Sequence, residues 1–430
     1  MTTAQEREDL RAARRVLDGV VGEIRNVDGF ADFGTAPTFA EVAAAANTLP
    51  VVYLAPSDAG GCALVVRNRG ARSVTLPLLT IDATRARVRD YFAAYERFRE
   101  SVGKPDERET TRRWHHALDE LTRWLWDSVV EPLLPAVRGT PDLCLVPCGP
   151  LVPLPVHAAW KPDPARPTGR VYFADLFAVS YVPNARSLAA TRHAARRRPP
   201  QRLLAVGDVD PGDPGAPSMR AEATAAAAAF PSKTVLLGDE ATPRALEARI
   251  AAADILHLCC HGRADLTQPL RSHLRLAGAS RLSVADILRM RMPTRLAVLS
   301  ACETFLSGAE LPDEMVGLPS ALLQAGTAGV IASMWLVDGA LSVALTTRFY
   351  RMFAGGSRPP AVALQAAQRW VRDTTNAEKE QAWQAALDKG EDWLPPATGS
   401  YLLSTVEFED PVERRYAAPH HWASFSFTGG

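Results

Sequence analysis

The sequence predicts an α/β fold built on a mostly parallel sheet with helices on both faces. Two observations carry that expectation. From about residue 141, apolar runs of four to eight residues recur: "DLCLVP", "LFAVSYVP", "RLLAVGD", "KTVLLG", "DILHLCC", "RLAVLSA" and "AGVIASMWLV". Runs that are continuous rather than alternating belong to strands buried on both faces. Helical stretches separate several of them, among them "MRAEATAAAAAF", "TPRALEARIAA", "SVADILRM" and "MVGLPSALLQAG". That is βα alternation. With 430 residues and 47% hydrophobic composition, the chain can fill one large or two medium domains.

The elements follow in order. Residues 1–26 read as an amphipathic helix, with Leu10, Ala13, Val16, Leu17, Val20, Val21 and Ile24 at helical spacing. "TFAEVAAAANT" is a short helix opened by Thr38 with Glu41 three residues on, a capping-box pattern. "LPVVYLAP", "GCALVVRN" and "SVTLPL" read as a meander of three strands. Two long helices follow, "DATRARVRDYFAAYERFRES" and "ERETTRRWHHALDELTRWLWDSVVEPLLPAV". His115 and His116 sit on the second, as part of its surface. The α/β region then runs from 141 to 430, with helix starts marked at Thr242-Pro243 and Ser283. "HHWASFSFTGG" reads as a closing strand, with His420 and His421 as structural residues. The expected organisation is thus residues 1–140 as a helical and small-sheet region and 141–430 as the main domain.

Composition removes several functions. Formal net charge is zero, so there is no basic footprint for nucleic acid and no polybasic run for an anionic membrane. The charged start lacks the apolar core of a secretion signal, and no apolar run is long enough to span a bilayer. A cytoplasmic location is expected, with reduced thiols. There is no GxxxxGK[ST] and no GxGxxG after a strand, so neither a phosphate-binding loop nor a cofactor is expected. Six cysteines are present; Cys144 and Cys148 read as small hydrophobes.

The stretch "DILHLCCHGRAD" (254–265) crowds two histidines and two cysteines together. As a strand it sends them to alternating faces, so all four cannot converge on one ion, and no metal is expected. His257, Cys259 and Cys260 read as core. His261-Gly262 ends the strand, and Cys302 ends "RLAVLSA", the next strand. In open α/β sheets, sites form at the carboxyl ends of strands, and a right-handed crossover puts these two strands in one sheet. His261 and Cys302, 41 positions apart, would then stand side by side. An imidazole beside a thiol stabilises the thiolate and can later protonate a leaving amine. Gly262, with no Cβ, lets its N–H approach a developing oxyanion, together with the N–H of Cys302.

"DILHLCCHGRAD", "LAVLSACETFLSG" and "GLPSALLQAGTAGVIASMWLVDGALSVALTTRFYRMF", with "LCLVPCGPLVPLPVHAAW", "YVPNARSL" and "HHWASFSFTG", resemble the CHAT family of bacterial caspase-like cysteine proteases, relatives of caspases and separases. The resemblance covers about residues 141–430. It implies a caspase-like fold, a dyad of His261 (base and acid) and Cys302 (nucleophile), and an oxyanion hole at Gly262. It also implies that residues 1–140 form a pseudo-caspase half. Subsites are expected after two strands: Asp208 and Asp210 in "LLAVGDVDPGD", and Trp335 and Asp338 in "ASMWLVDGALS". Asp208 and Asp338 would make an acidic S1 pocket for Arg or Lys; Glu303, Asp313 and Glu314 are further acidic candidates. The partners expected are a protein substrate and a regulatory or sensor protein, for which helix 1–26 is a docking candidate, in a bacterial defence or cell-death setting. The competing reading is a catalytically idle scaffold that binds a partner through the same groove.

Overall fold

The computed structural model describes residues 4–430 apart from 32, 69, 197–199, 211, 266–267, 301–316 and 355–357. Its main sheet has eleven strands: β1 Val51–Ser57, β2 Gly60–Arg67, β3 Gly70–Leu76, β4 Asp142–Pro147, β5 Ala178–Tyr181, β6 Arg202–Gly207, β7 Ser232–Leu237, β8 Ile255–Leu258, β9 Leu296–Leu299, β10 Gly329–Ser333 and β11 Phe425–Gly429. Their order across the sheet is β3-β2-β1-β4-β5-β11-β10-β9-β8-β6-β7.

The expected meander β1–β3 forms, and β1 pairs in parallel with β4. The sheet therefore runs unbroken from the first 140 residues into the rest. The closing strand β11 sits mid-sheet, parallel to β5 and antiparallel to β10. From β10 outward, β9, β8, β6 and β7 are all parallel. Thus β1, β4, β5 and β11 form one parallel block and β10, β9, β8, β6 and β7 a second of opposite direction, with β2 and β3 of the antiparallel meander at the outer end, and the carboxyl ends of β6, β8, β9 and β10 share one edge.

Most of the apolar runs become central strands for the expected reason: every residue of β8, β9 and β10 is buried; "KTVLLG" instead forms β7 at the sheet's end, where a neighbour on one side only leaves its first three residues exposed. Each Leu or Ile buried in this way stabilises the fold by about 1.5–3 kcal/mol. Helices cover both faces: α2 Phe39–Ala45, α3 Ile81–Ser101, α4 Glu107–Leu125, α5 Ala185–Ala195, α6 Ala216–Ala228, α7 Pro243–Ile250, α8 Leu318–Gln324, α9 Gly339–Phe353, α10 Pro360–Asp373 and α11 Asn376–Asp388; α1 Ala4–Arg25 precedes them and has none of its described residues buried. The Thr38/Glu41 capping box forms, and Thr242 and Ser283 cap the helices they were read to open.

The long helix read at 107–137 passes through a π-turn, Trp126–Val130, into Glu131–Val137. Pro132 has no N–H to continue an i→i−4 ladder. The hairpin of α3 and α4 is held by Phe98 stacked on Trp114 at 4.7 Å. Helix α1 forms as its periodicity predicts, but Leu10 is 71% exposed and Leu17 57%. No helix is long and apolar enough to cross a membrane among the described residues.

Candidate active site

β8 and β9 are direct neighbours, with Leu258 opposite Leu299. Three residues beyond Leu258 stands His261, and three beyond Leu299 in sequence stands Cys302. Cys302 lies outside the described residues, as do Glu303, Asp313 and Glu314. Ser300 is the last residue described before it.

His261 leaves the sheet at its carboxyl edge with 40% of its side chain exposed. Its Nε2 lies 2.7 Å from Oδ2 of Asp213. Burial works to raise the Asp213 carboxyl, but the Gly215 N–H and the His261 ring outweigh it and hold the group below the usual carboxylate range. This hydrogen bond fixes the orientation of the His261 ring. Asp213 was not singled out in the sequence. It is the third aspartate of "GDVDPGDPG", and nothing in the spacing separates it from its neighbours.

Gly262 enters a short ribbon opposite Leu274. Arg275 N–H donates to His261 O at 2.8 Å, which makes 261–275 the hydrogen-bonded pair and 262–274 the non-bonded one. The Gly262 N–H therefore points away from the partner strand, as an oxyanion donor must.

The expected substrate pocket is corrected in two places. Asp208 is 1% exposed, with a φ of +50°, and its Oδ2 accepts from Arg220 Nε at 2.8 Å. Its charge is already matched inside the fold, so it is not an open S1 acid. Asp210 pairs with Arg275 at 2.7 Å. Trp335, expected at the groove mouth, is fully buried. It packs edge-on against Trp114 and donates Nε1–H to His420 O at 2.8 Å. The apolar indole finds its partners in the α3–α4 hairpin, which had no sequence link to it. Asp338 caps α9 through the Leu341 N–H at 2.9 Å and keeps 38% of its side chain exposed.

Deeper on the same strand, His257 and Cys259 face one way and meet Glu222 of α6. Their donor atoms lie within 4.8 Å of one another, all buried. These three could hold a metal by type. However, Cys259 Sγ is 2.7 Å from His257 Nε2, and two such ligands of one tetrahedral zinc stand about 3.5 Å apart, so an ion would need the sulfur to swing away. Burial pushes the His257 imidazole down to about 3 and raises the Glu222 carboxyl to about 7, even though Thr346 and Ser300 hydrogen-bond to it. His115 stacks on His420 at 3.4 Å, so the first joins the packing and the second is structural. The cavity of about 430 Å³ that they line with Arg170 and Tyr172 does not include His261.

The CHAT domain model matches residues 119–430. The chain belongs to the CHAT domain family. No curated protein matches it. A chain of the Saccharomyces cerevisiae separase–securin complex is similar in fold, with TM-score 0.56 and 9% identity over 91% of this chain. A second structure of that complex gives 0.54 and 10% over 95%. This CHAT protein spans only about a third of the length of those chains (31% and 32%). The Arg-specific cysteine proteinase gingipain R matches at TM-score 0.37, 10% identity, 73% of this chain and 67% of its own. In fold the chain is like the matched part of the separase–securin complex chain.

Proposed function

We propose that this CHAT protein is a cysteine endopeptidase in which His261 is the general base and acid, Cys302 the nucleophile and Gly262 N–H an oxyanion donor. The observation that carries this is the parallel register of β8 and β9. Leu258 faces Leu299, so the two strands deliver their next residues to the same sheet edge, and the histidine there is exposed and oriented by a carboxylate. The thiolate attacks the peptide carbonyl, the oxyanion forms beside Gly262, and the imidazolium gives its proton to the leaving amine. Water then releases the acyl group, with His261 as base.

A basic P1 residue would meet Asp338, the half-exposed acid after β10. Activity would be controlled by a regulatory protein in a bacterial defence or cell-death pathway, with the exposed apolar stripe of α1 as one docking element.

Competitive labelling with an iodoacetamide probe tests the dyad. Cys302 should react faster than the other five thiols by about 10²-fold, and His261→Ala should remove that advantage. Equal labelling of all six would leave the idle scaffold as the better account. Mapping new protein N-termini in cells carrying wild type or Cys302→Ala then identifies substrates.

A further inference from the structure

One helix reaches both halves of this site. The loop that leads into α6 carries Asp213, the partner of His261. Farther along α6, Glu222 accepts a hydrogen bond from Ser300 Oγ at 2.9 Å. Ser300 is the residue after β9 and lies two before Cys302. Its N–H donates to Leu258 O at 2.9 Å, and its Oγ also lies 3.3 Å from Ser342 Oγ of α9. The other oxygen of Glu222 accepts from Thr346 of α9 at 2.7 Å. A single carboxyl group therefore ties α6, α9 and the exit of β9 together.

The closeness of α6 to the sheet is built in. A Cβ on Gly207, at the end of β6, would stand 2.9 Å from Ala223 Cβ and from Met219 O, so only glycine fits. Glu222 is 3% exposed in a helix otherwise rich in buried alanines. An apolar residue there would avoid the desolvation cost of an acid. The acid accepts from Ser300 and Thr346, and the buried His257 and Cys259 lie against it as well.

We propose that Glu222 is a positioning residue that fixes Ser300, and so sets where the chain leaves β9 toward Cys302, while the same helix fixes His261 through Asp213. Its consequence for catalysis rests on the dyad reading above; the anchor itself does not.

The test uses Glu222→Ala, Glu222→Gln and Ser300→Ala in the full chain, with two readouts. Amide hydrogen exchange over residues 296–304 reads the anchor without requiring activity. The rate of Cys302 alkylation reads its effect on the thiol. Loss of one buried hydrogen bond to an acid predicts roughly tenfold faster exchange and roughly tenfold slower alkylation in Glu222→Ala. Glu222→Gln, whose carboxamide oxygen can still accept from Ser300, should recover most of both. Where Glu222→Ala does not fold, Ser300→Ala removes the hydroxyl alone and carries the same expectation. Wild-type exchange in a folded Glu222→Ala or Ser300→Ala overturns the proposal. So does a Glu222→Gln that matches Glu222→Ala in both readouts. Faster exchange in a protein whose wild-type Cys302 reacts no faster than its other thiols would uphold the anchor and remove the dyad reading instead.

Discussion

His257 and His261 lie four residues apart on one stretch of chain. His257 is wholly buried inside β8, with Nδ1 3.1 Å from the Tyr350 hydroxyl and Nε2 against Cys259 and Glu222. His261 is 40% exposed at the strand tip, with the Asp213 carboxylate beside it. Depth along the strand separates their chemistry. In the interior an imidazole keeps its neutral form because no water solvates the cation. At the rim a partner carboxylate orients the ring, and solvent can reach it. The same side chain is therefore a packing group in one place and, in the proposed mechanism, the proton carrier in the other.

Three measurements would break or sharpen that contrast. The largest effect is expected at the rim. Asp213→Asn should cut peptide turnover about ten- to a hundredfold with little change in KM, because a charge-assisted hydrogen bond of about 1.5–3 kcal/mol to the imidazolium is lost. Its melting temperature should stay close to wild type. Unchanged turnover would mean that Asp213 does not orient the base.

In the interior the cost falls on stability. His257→Ala should destabilise the protein by about 2–4 kcal/mol in denaturant titrations, since it opens a cavity and leaves buried polar partners unmatched. A shift under about 0.5 kcal/mol would show that the network tolerates the loss.

The smallest effect is a pH signature. In the unfolded chain the Glu222 and His257 side chains have ordinary values of 4.5 and 6.5; in the fold these become about 7 and about 3. Between pH 4.5 and 6.5 each state then holds one proton on the pair, on the imidazole when unfolded and on the carboxyl when folded. Their contributions offset, and stability from the pair is flat. In Glu222→Gln only His257 is left, and its depressed value makes stability fall as pH drops below 6.5. The variant should therefore lose up to about 1.4 kcal/mol per pH unit more than wild type between pH 6.5 and 4.5. Cys259 and Tyr350, which also face the pair, are raised and stay protonated throughout this window. Parallel stability curves would show that the proton does not change places on folding.

Much of this architecture is legible in the residues. Most of the apolar runs became central strands, the crossover put β8 beside β9, and the capping residues Thr38, Thr242 and Ser283 opened the helices they marked. These features depend on neighbours in sequence or on periodicity, so they can be read from a string. The fates of Asp208, Asp210, Asp213, Glu222 and Trp335 cannot. Three aspartates within six residues found three different basic side chains, Arg220, Arg275 and His261, and two of those are more than 45 positions away. Trp335 was buried by Trp114, from a helix more than 200 residues earlier.

What the sequence determined by itself was the order and type of most elements, and the strand that carries His261 to the sheet's carboxyl edge, because local propensity and apolar period act over a few residues. What the tertiary structure decided was which polar groups face solvent and which face each other. Charge pairing and desolvation act through space, and they are set only when distant segments have packed.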